Sequence, residues 1–305
     1  MTLSQHSNLN TILITIYCFV DDMIRAIFRS IHPLLSRPNQ TTPPTKKHNL
    51  SIPELTSLAI FRFFTGHRNW KDFYRHLTTY HRNDFPLLPA YKNFLVAING
   101  LSGLAAFLLQ GFMNIFRLHT TSDALKFADS TKLKVCEIFR SLSHKVAKGV
   151  ASKSKTHTGW FYGFRLHIVI NPWLEILGIR ITTATKDERQ ALASMWDDFL
   201  GMIVADAGYV GKGWQVKAKA GGKILFAAVR SNMKKLMTEA QHRLLKERQK
   251  VEIVFATLKL RFGIETSLPR SIFGYFAHYL FALTAYQLKR FMDGRRIGSV
   301  ELVVA

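Results

Sequence analysis

Three carboxylates lie at positions in the sequence where they could bind a cation. Asp129 interrupts the apolar start of a predicted strand, and Asp206 closes the apolar segment Ile203-Val204-Ala205. Glu252 lies inside a long helical pattern, with Arg248 before it and Lys259 after it. Burying Asp129 without a partner would be costly, Asp206 ends a strand where ligands collect in open α/β sheets, and Glu252 lies between two cations.

Carboxylate oxygens are the ligands that Mg²⁺ and Mn²⁺ prefer. Two such ions about 3.5–4 Å apart can activate an attacking oxygen and stabilise a leaving one during phosphodiester cleavage. If the three side chains converge, we predict Asp129, Asp206 and Glu252 to be the catalytic residues and the ligands of two Mg²⁺ or Mn²⁺ ions.

Each carboxylate taken alone also has an ordinary interpretation. Asp129 suits a hydrogen-bonded strand end or turn, and Asp206 suits an Asx turn that enters a helix. Glu252 suits an i,i+4 ion pair on a solvated helix face. The chemical interpretation therefore depends on the elements that carry the three residues.

These elements follow one another in the order of a ribonuclease-H-like α/β fold, with a mixed sheet flanked by helices. In that fold the first strand, the end of the fourth strand and the last helix converge. The predicted strands are Leu125–Glu137, Gly163–Ile170, Leu174–Thr183, Met202–Asp206 and Lys223–Val229, and the predicted helices are Asp187–Leu200 and Glu239–Phe262. A further helical crossover is expected between the last two strands.

The rest of the chain predicts an N-terminal all-α domain, since apolar residues after Ile52 recur at helical spacing. Pro38, Pro43 and Pro44 mark a linker before it. The predicted organisation is a helical arm over 1–35, a linker over 36–51, a helical DNA-binding region over 52–121, a catalytic domain over 122–292 and a tail over 293–305.

The charge points to a polyanionic partner. The chain has 42 Lys and Arg against 20 Asp and Glu, a formal net charge of +22 over 305 residues. The excess is spread over both halves, which favours nucleic acid over a membrane-bound basic segment. Basic runs at 132–155 and 207–238 suggest a track for phosphates, and in the first of them we predict Lys145 and Lys148 to bind DNA.

Cysteine usage and hydropathy bear on the compartment. Cys18 and Cys136 lie far apart and outside any zinc-binding spacing, which indicates a reducing compartment without structural zinc. The uncharged stretch Leu95–Phe116 is long enough to span a bilayer, but its Gly and Asn residues favour two packed helices or one bent helix in a core. We expect a cytoplasmic protein and no membrane partner.

With these motifs the chain resembles the DDE transposases of bacterial insertion sequences, most closely insertion sequence family nine-eight-two. The resemblance covers about residues 12–290. The matching segments are Ala128-Asp129-Ser130-Thr131, Ser143-His144-Lys145-Val146 with Lys148-Gly149, Gly159-Trp160-Phe161-Tyr162-Gly163-Phe164 with Leu166-His167, Asp206-Ala207-Gly208-Tyr209, and Arg248, Glu252 and Lys259 at the family's spacing.

The resemblance implies a mobile-element enzyme that performs metal-dependent DNA cleavage and strand transfer. Its partners would be double-stranded DNA, as terminal inverted repeats and as target, and a second copy in a homodimer on DNA. The location would be the bacterial cytoplasm at the nucleoid. Arg248 and Lys259, which an ideal helix places within about 60° of Glu252, would bind DNA. The alternatives are a metal-dependent nuclease and a decayed transposase that only binds DNA.

Overall fold

The computed structural model describes residues 3–35, 50–121, 125–156, 158–198, 200–209, 211–227, 238–265 and 269–294. The chain divides into two compact units, one of Met1–Phe112 with Arg261–Ala305 and one of Met113–Leu260. Most of the predicted linker and nearly all of the predicted tail lie outside the described residues. The boundaries at 52–121 and 122–292 stay predictions.

In the described part of the second unit, a six-stranded mixed sheet is flanked by helices. Its strands are β1 Lys126–Cys136, β2 Ser152–Thr156, β3 Gly159–Ile170, β4 Ile176–Thr183, β5 Gly201–Ala205 and β6 Lys223–Ala227. Its helices are α6 Glu188–Ala193, α7 Lys212–Ala220, α8 Glu239–Glu247 and α9 Gln249–Ala256, followed by a π-helical turn over Thr257–Arg261. The last turns of α5, Ser102–His119, also belong to this unit.

The sheet has the strand order β2-β3-β1-β5-β6, and β4 also pairs with β3. β1 runs antiparallel to β3, whereas β5 runs parallel to β1 and β6 runs parallel to β5. The meander, the helix after it and the helical crossover α7 between β5 and β6 follow the predicted order. This curled mixed sheet with its helices fits a ribonuclease-H-like DDE domain.

Three local features differ from the sequence prediction. The predicted helix Asp187–Leu200 is shorter, since α6 ends at Ala193 and a separate 3-10 turn covers Trp196–Asp198. The strand β2, with the sequence Ser-Lys-Ser-Lys-Thr, was not predicted, because its alternation is between two polar residue types and carries no apolar signal. The predicted helix Glu239–Phe262 is interrupted at Arg248, which ends α8 and begins α9, and it widens into the π-helical turn at Thr257.

The regular elements described in the first unit are all helices. They are α1 Leu3–Leu35, α2 Ile52–Phe64, α3 Trp70–Tyr80, α4 Tyr91–Gly100, most of α5 and α10 Ile272–Asp293. Ser51 caps α2 in a capping box with Glu54, and α10 packs against α2 and α4. Arg62 is buried, stacks on Trp70 at 4.5 Å and contacts His278 Nδ1 at 3.2 Å.

Among the described residues, no single helix is long and apolar enough to cross a membrane. The pair α4 and α5, which is bent by 49° at its junction, would meet the length and composition together.

Candidate active site

Strand register brings two of the three predicted carboxylates together. Ala128 of β1 pairs with Ala205 of the parallel strand β5, so Asp129 and Asp206 are the next residues on adjacent strands. Neighbouring strands lie about 4.8 Å apart. The electrostatic influence of Asp206 on Asp129 agrees with this placement. The two aspartates thus lie side by side on two interior strands, at the carboxyl end of β5, where parallel strands commonly present functional groups.

Both oxygens of the Asp129 carboxylate are engaged. Oδ1 accepts a hydrogen bond from the backbone N–H of Ser130 at 2.7 Å, and Oδ2 accepts one from Arg248 Nη1 at 2.7 Å. The side chain is 20% exposed, so it has lost most of its hydration. The ordinary interpretation of a hydrogen-bonded aspartate therefore describes its local contacts, although the long-range partner Arg248 goes beyond a turn.

Burial raises the pKa of Asp129 to about 6, although the Ser130 N–H and the Arg248 guanidinium both act to lower it. The charges of Asp206 and Glu188 add to the increase. Loss of hydration outweighs the two hydrogen bonds because a charged group in a poorly hydrated site is strongly disfavoured. A carboxylate kept in such a place calls for additional positive charge.

Glu252 is connected to Asp129 by Arg248, which contacts both side chains. Arg248 Nη2 lies 3.7 Å from Glu252 Oε1, while Nη1 of the same guanidinium binds Asp129. Glu252 is 62% exposed. One arginine therefore bridges the sheet aspartate and the helix glutamate, and it occupies a cationic position between two predicted metal ligands.

The other predicted DNA-binding residues lie on other segments than Asp129 and Arg248. Lys259 is half-buried within the π-helical turn, and its predicted alignment with Glu252 assumed an uninterrupted α-helix. Lys145 and Lys148 are exposed in the connection between β1 and β2, beyond the far end of β1. The contacts thus link Asp129, Arg248 and Glu252, and the strand register places Asp206 beside Asp129.

A fourth carboxylate beside the site was missed by the sequence prediction. Glu188, the first residue of α6, accepts a hydrogen bond from Ser130 Oγ at 2.7 Å and forms an ion pair with Arg165 of β3. Its Oε2 lies so close to Gly208 that an added Cβ there would be 3.0 Å away. Glu188 consequently ties the residue after Asp129 to the loop that follows Asp206.

Tyr209 completes the support behind the aspartates. Its backbone N–H donates to the Asp206 carbonyl at 3.0 Å, and its side chain is buried. Burial and the nearby charges of Glu188 and Asp129 raise the pKa of the phenol well above its ordinary value, so it stays neutral. The predicted signal Asp206-Ala207-Gly208-Tyr209 thus contains a buried anchor as well as a carboxylate.

The donor set agrees in chemistry with a divalent metal centre. Asp129 and Asp206 provide hard oxygen atoms on adjacent strands, and the raised pKa of Asp129 indicates a site short of positive charge. Within the described residues, no group of three or more His, Cys, Asp or Glu side chains is arranged to hold a metal ion. Arg248 contacts both Asp129 and Glu252.

The mixed sheet, with Asp129 inside β1 and Asp206 directly after β5, fits a ribonuclease-H-like DDE domain. The family described as "Transposase DDE domain" matches residues 119–272, and the chain belongs to this family. The matched segment contains Asp129, Asp206 and Glu252. No curated protein and no solved structure matches the chain. The family acts on DNA and generally uses divalent metal ions.

Proposed function

We propose that the protein is a transposase that cleaves the ends of an insertion sequence and joins them to target DNA. The observation that supports this proposal is the strand register, in which Asp129 and Asp206 directly follow the paired residues Ala128 and Ala205, together with Arg248, which connects Asp129 to Glu252. Within the DDE family, we assign the chain to the nine-eight-two group because of the motifs around Ser143, Gly159 and Arg248.

Asp129, Asp206 and Glu252 would hold two Mg²⁺ or Mn²⁺ ions. When bound, such ions activate the attacking oxygen and stabilise the leaving oxygen of an in-line displacement. The Ser130 N–H orients the Asp129 carboxylate, and Glu188 accepts a hydrogen bond from Ser130 Oγ and lies beside Gly208. Tyr209 excludes water from behind the aspartates, because it fills that space with a buried ring.

Arg248 has two possible anionic partners besides Glu252, namely Asp129 and a DNA phosphate. Its guanidinium is suited to phosphate because it offers planar, paired N–H donors. Arg248, which contacts Asp129 in this structure, would also bind the phosphate near the cut, and the metal ions would supply positive charge to Asp129. Lys259 would bind the same strand, and Lys145 and Lys148 would bind phosphates at a distance from the cut.

The helical region over 52–121 would supply recognition of the element ends, since phosphate contacts position a protein but read no sequence. We propose a homodimer on DNA, so that both ends are cut in one complex, and a location at the bacterial nucleoid. The charge of +22 predicts that binding weakens steeply with salt.

The test is incubation of the purified full chain with Mg²⁺ or Mn²⁺ and duplex DNA that carries the repeats flanking its coding sequence. Mapped nicks at the repeat ends and joined products are expected. Cleavage without joining, even when a free 3′-OH end is supplied, would identify a nuclease instead. Binding without cleavage in either metal would identify a DNA-binding protein only.

A further inference from the structure

The connection between β1 and β2, residues 137–151, presents apolar side chains to solvent in a strongly basic setting. Phe139 is 80% exposed and Leu142 is 86% exposed, which places both among the most exposed large apolar side chains of the described residues. We call these two side chains the apolar tip. Nothing in the proposed chemistry at Asp129 uses them.

The apolar tip is presented by ordered turns. Arg140 N–H donates to the Glu137 carbonyl at 2.9 Å, and Ser141 Oγ donates to the Ile138 carbonyl at 2.6 Å. Farther along, the Tyr162 hydroxyl of β3 donates to the carbonyl of fully buried Ala147 at 3.2 Å. The segment is therefore held to β3 at Ala147, whereas Phe139 and Leu142 lie in hydrogen-bonded turns that leave their side chains exposed.

Positive charge surrounds the apolar tip. Between residues 132 and 155 there are seven Lys and Arg residues and a single acid, Glu137. Lys153 and Lys155 of β2 are exposed, and Lys155 pairs across the strands with Trp160, which is 60% exposed. A second copy of this surface would be repelled by its charge, whereas nucleic acid would be attracted.

Apolar side chains that accompany phosphate-binding cations have a known use on duplex DNA. They enter between base pairs as wedges, unstack one step and bend the duplex, while the cations hold the backbone on either side. An exposed aromatic ring also stacks on any base, which is independent of sequence. Phe139 beside Arg140 and Lys145 provides both components.

The length of β1 sets the distance from the cut. Cys136 is the last residue of β1 and precedes Phe139 by three residues. It follows Asp129 by seven residues, so at about 3.4 Å per residue the two lie about 24 Å apart. A duplex that lay alongside β1 would have about seven base pairs over this length. We propose that the apolar tip inserts into duplex DNA about seven base pairs from the cleaved bond and distorts it there. This inference rests on the proposed function at Asp129.

The experiment uses the full chain and duplexes from the DNA flanking its coding sequence, each with 2-aminopurine at one position along the repeat. The unmodified protein should raise the fluorescence at positions about seven base pairs from the mapped cut, because unstacking relieves quenching. The double variant Phe139→Ala/Leu142→Ala should lose this signal and bind about tenfold more weakly. Its salt dependence should stay unchanged, since no charge is removed.

Matched variants distinguish insertion of the apolar tip into DNA from a nonspecific effect of the substitutions on the protein. Leu118→Ala removes another side chain that is 72% exposed in the same unit and should leave fluorescence and affinity unchanged. Phe139→Trp should keep the signal. Lys145→Ala with Lys148→Ala should reduce the salt slope but leave the fluorescence of the saturated complex intact.

Three results would overturn the inference. In the first, the double variant matches the parent in fluorescence and affinity. In the second, the parent cleaves the repeat without a fluorescence change at any position, in which case the proposed function stands and the wedge is wrong. In the third, the double variant loses only self-association in sedimentation, which identifies a contact between copies. If the parent neither binds nor cuts the duplex, the proposed function fails as well.

Discussion

The strands β1 and β5 and the segment 238–261 position their acidic groups in different ways. Asp129 and Asp206 are fixed by strand register and supported by Ser130, Glu188 and Tyr209. Glu252 lies on a helix that begins at an interruption, is largely exposed and reaches the sheet through Arg248 alone among the contacts described above. The comparison teaches that one side of the site is preorganised and that the other is completed by an ionic contact.

Removal of any one of the three proposed metal ligands is expected to have the largest effect. Asp129→Ala, Asp206→Ala or Glu252→Ala should reduce cleavage by about a thousandfold or more, with DNA binding retained, because each removes a proposed ligand. Single-turnover cleavage with Mg²⁺ is the measurement. Conservative changes sharpen the comparison: Glu252→Asp should retain more activity than Asp129→Glu, since the helix has more freedom to adjust. Near-parental cleavage by any of the Ala variants would remove that residue from the site.

Loss of the Glu188 carboxylate tests whether the sheet side is held by its supporting contacts. Glu188→Gln should slow cleavage about tenfold to a hundredfold, as for other residues that orient metal ligands. The Mg²⁺ concentration for half-maximal rate should rise, a change that a loss of folded protein alone would not cause. Glu239→Gln is the control, because Glu239 forms an exposed i,i+4 pair with Arg243. Equal metal titrations for the two variants would contradict the positioning role.

Arg248 and Lys259 test the helix side. Arg248→Ala and Lys259→Ala should each slow cleavage or joining by about tenfold, with Arg248→Ala the more severe because of its contact with Asp129. Lys289→Ala is the control, since Lys289 pairs with Asp293 on α10. Rates equal to that control would place both residues outside the reaction.

The smallest expected effect is on stability. Since burial raises the pKa of Asp129 from 3.8 to about 6, the folded metal-free protein binds this proton more tightly than the unfolded chain does. The cost of ionising Asp129 is thus absent below pH 3.8 and grows as the pH rises to about 6. Asp129→Asn should raise the free energy of unfolding by about 1 kcal/mol at neutral pH and by less at pH 5. Denaturant unfolding in EDTA is the measurement, and a pH-independent difference would contradict the assignment.

Much of the sheet could be predicted because its strands are apolar and bounded by breakers such as Pro172. The placement of Asp129 and Asp206 on neighbouring strands followed from the expected strand order. Glu188 could not be predicted, since a glutamate in the first turn of a helix is an ordinary favourable charge. Its role arises from contacts with Ser130 and Arg165, which tertiary folding alone brings near.

The helix side was predicted less well for a physical reason. Helical periodicity across 239–262 gives no sign of the interruption at Arg248, because Glu, Arg and Gln are all good helix formers. The ion pair between Arg248 and Glu252, which was the ordinary alternative for Glu252, is present. The contact from Arg248 to Asp129 was not predicted, since those residues lie on elements that only the fold brings together.

The parallel pairing of β1 with β5 has a consequence for the order of folding. β1, β3 and β4 pair with strands nearby in the chain, whereas Lys126 pairs with Ile203 after a long intervening segment. Distant pairings form slowly because the entropy of closing the loop comes before the gain in contacts. The meander should therefore collapse first, with Asp129 still lacking Asp206. A newly synthesised chain would acquire its pair of aspartates only in the closing steps of folding, so partly folded chains would be unable to cut the chromosome.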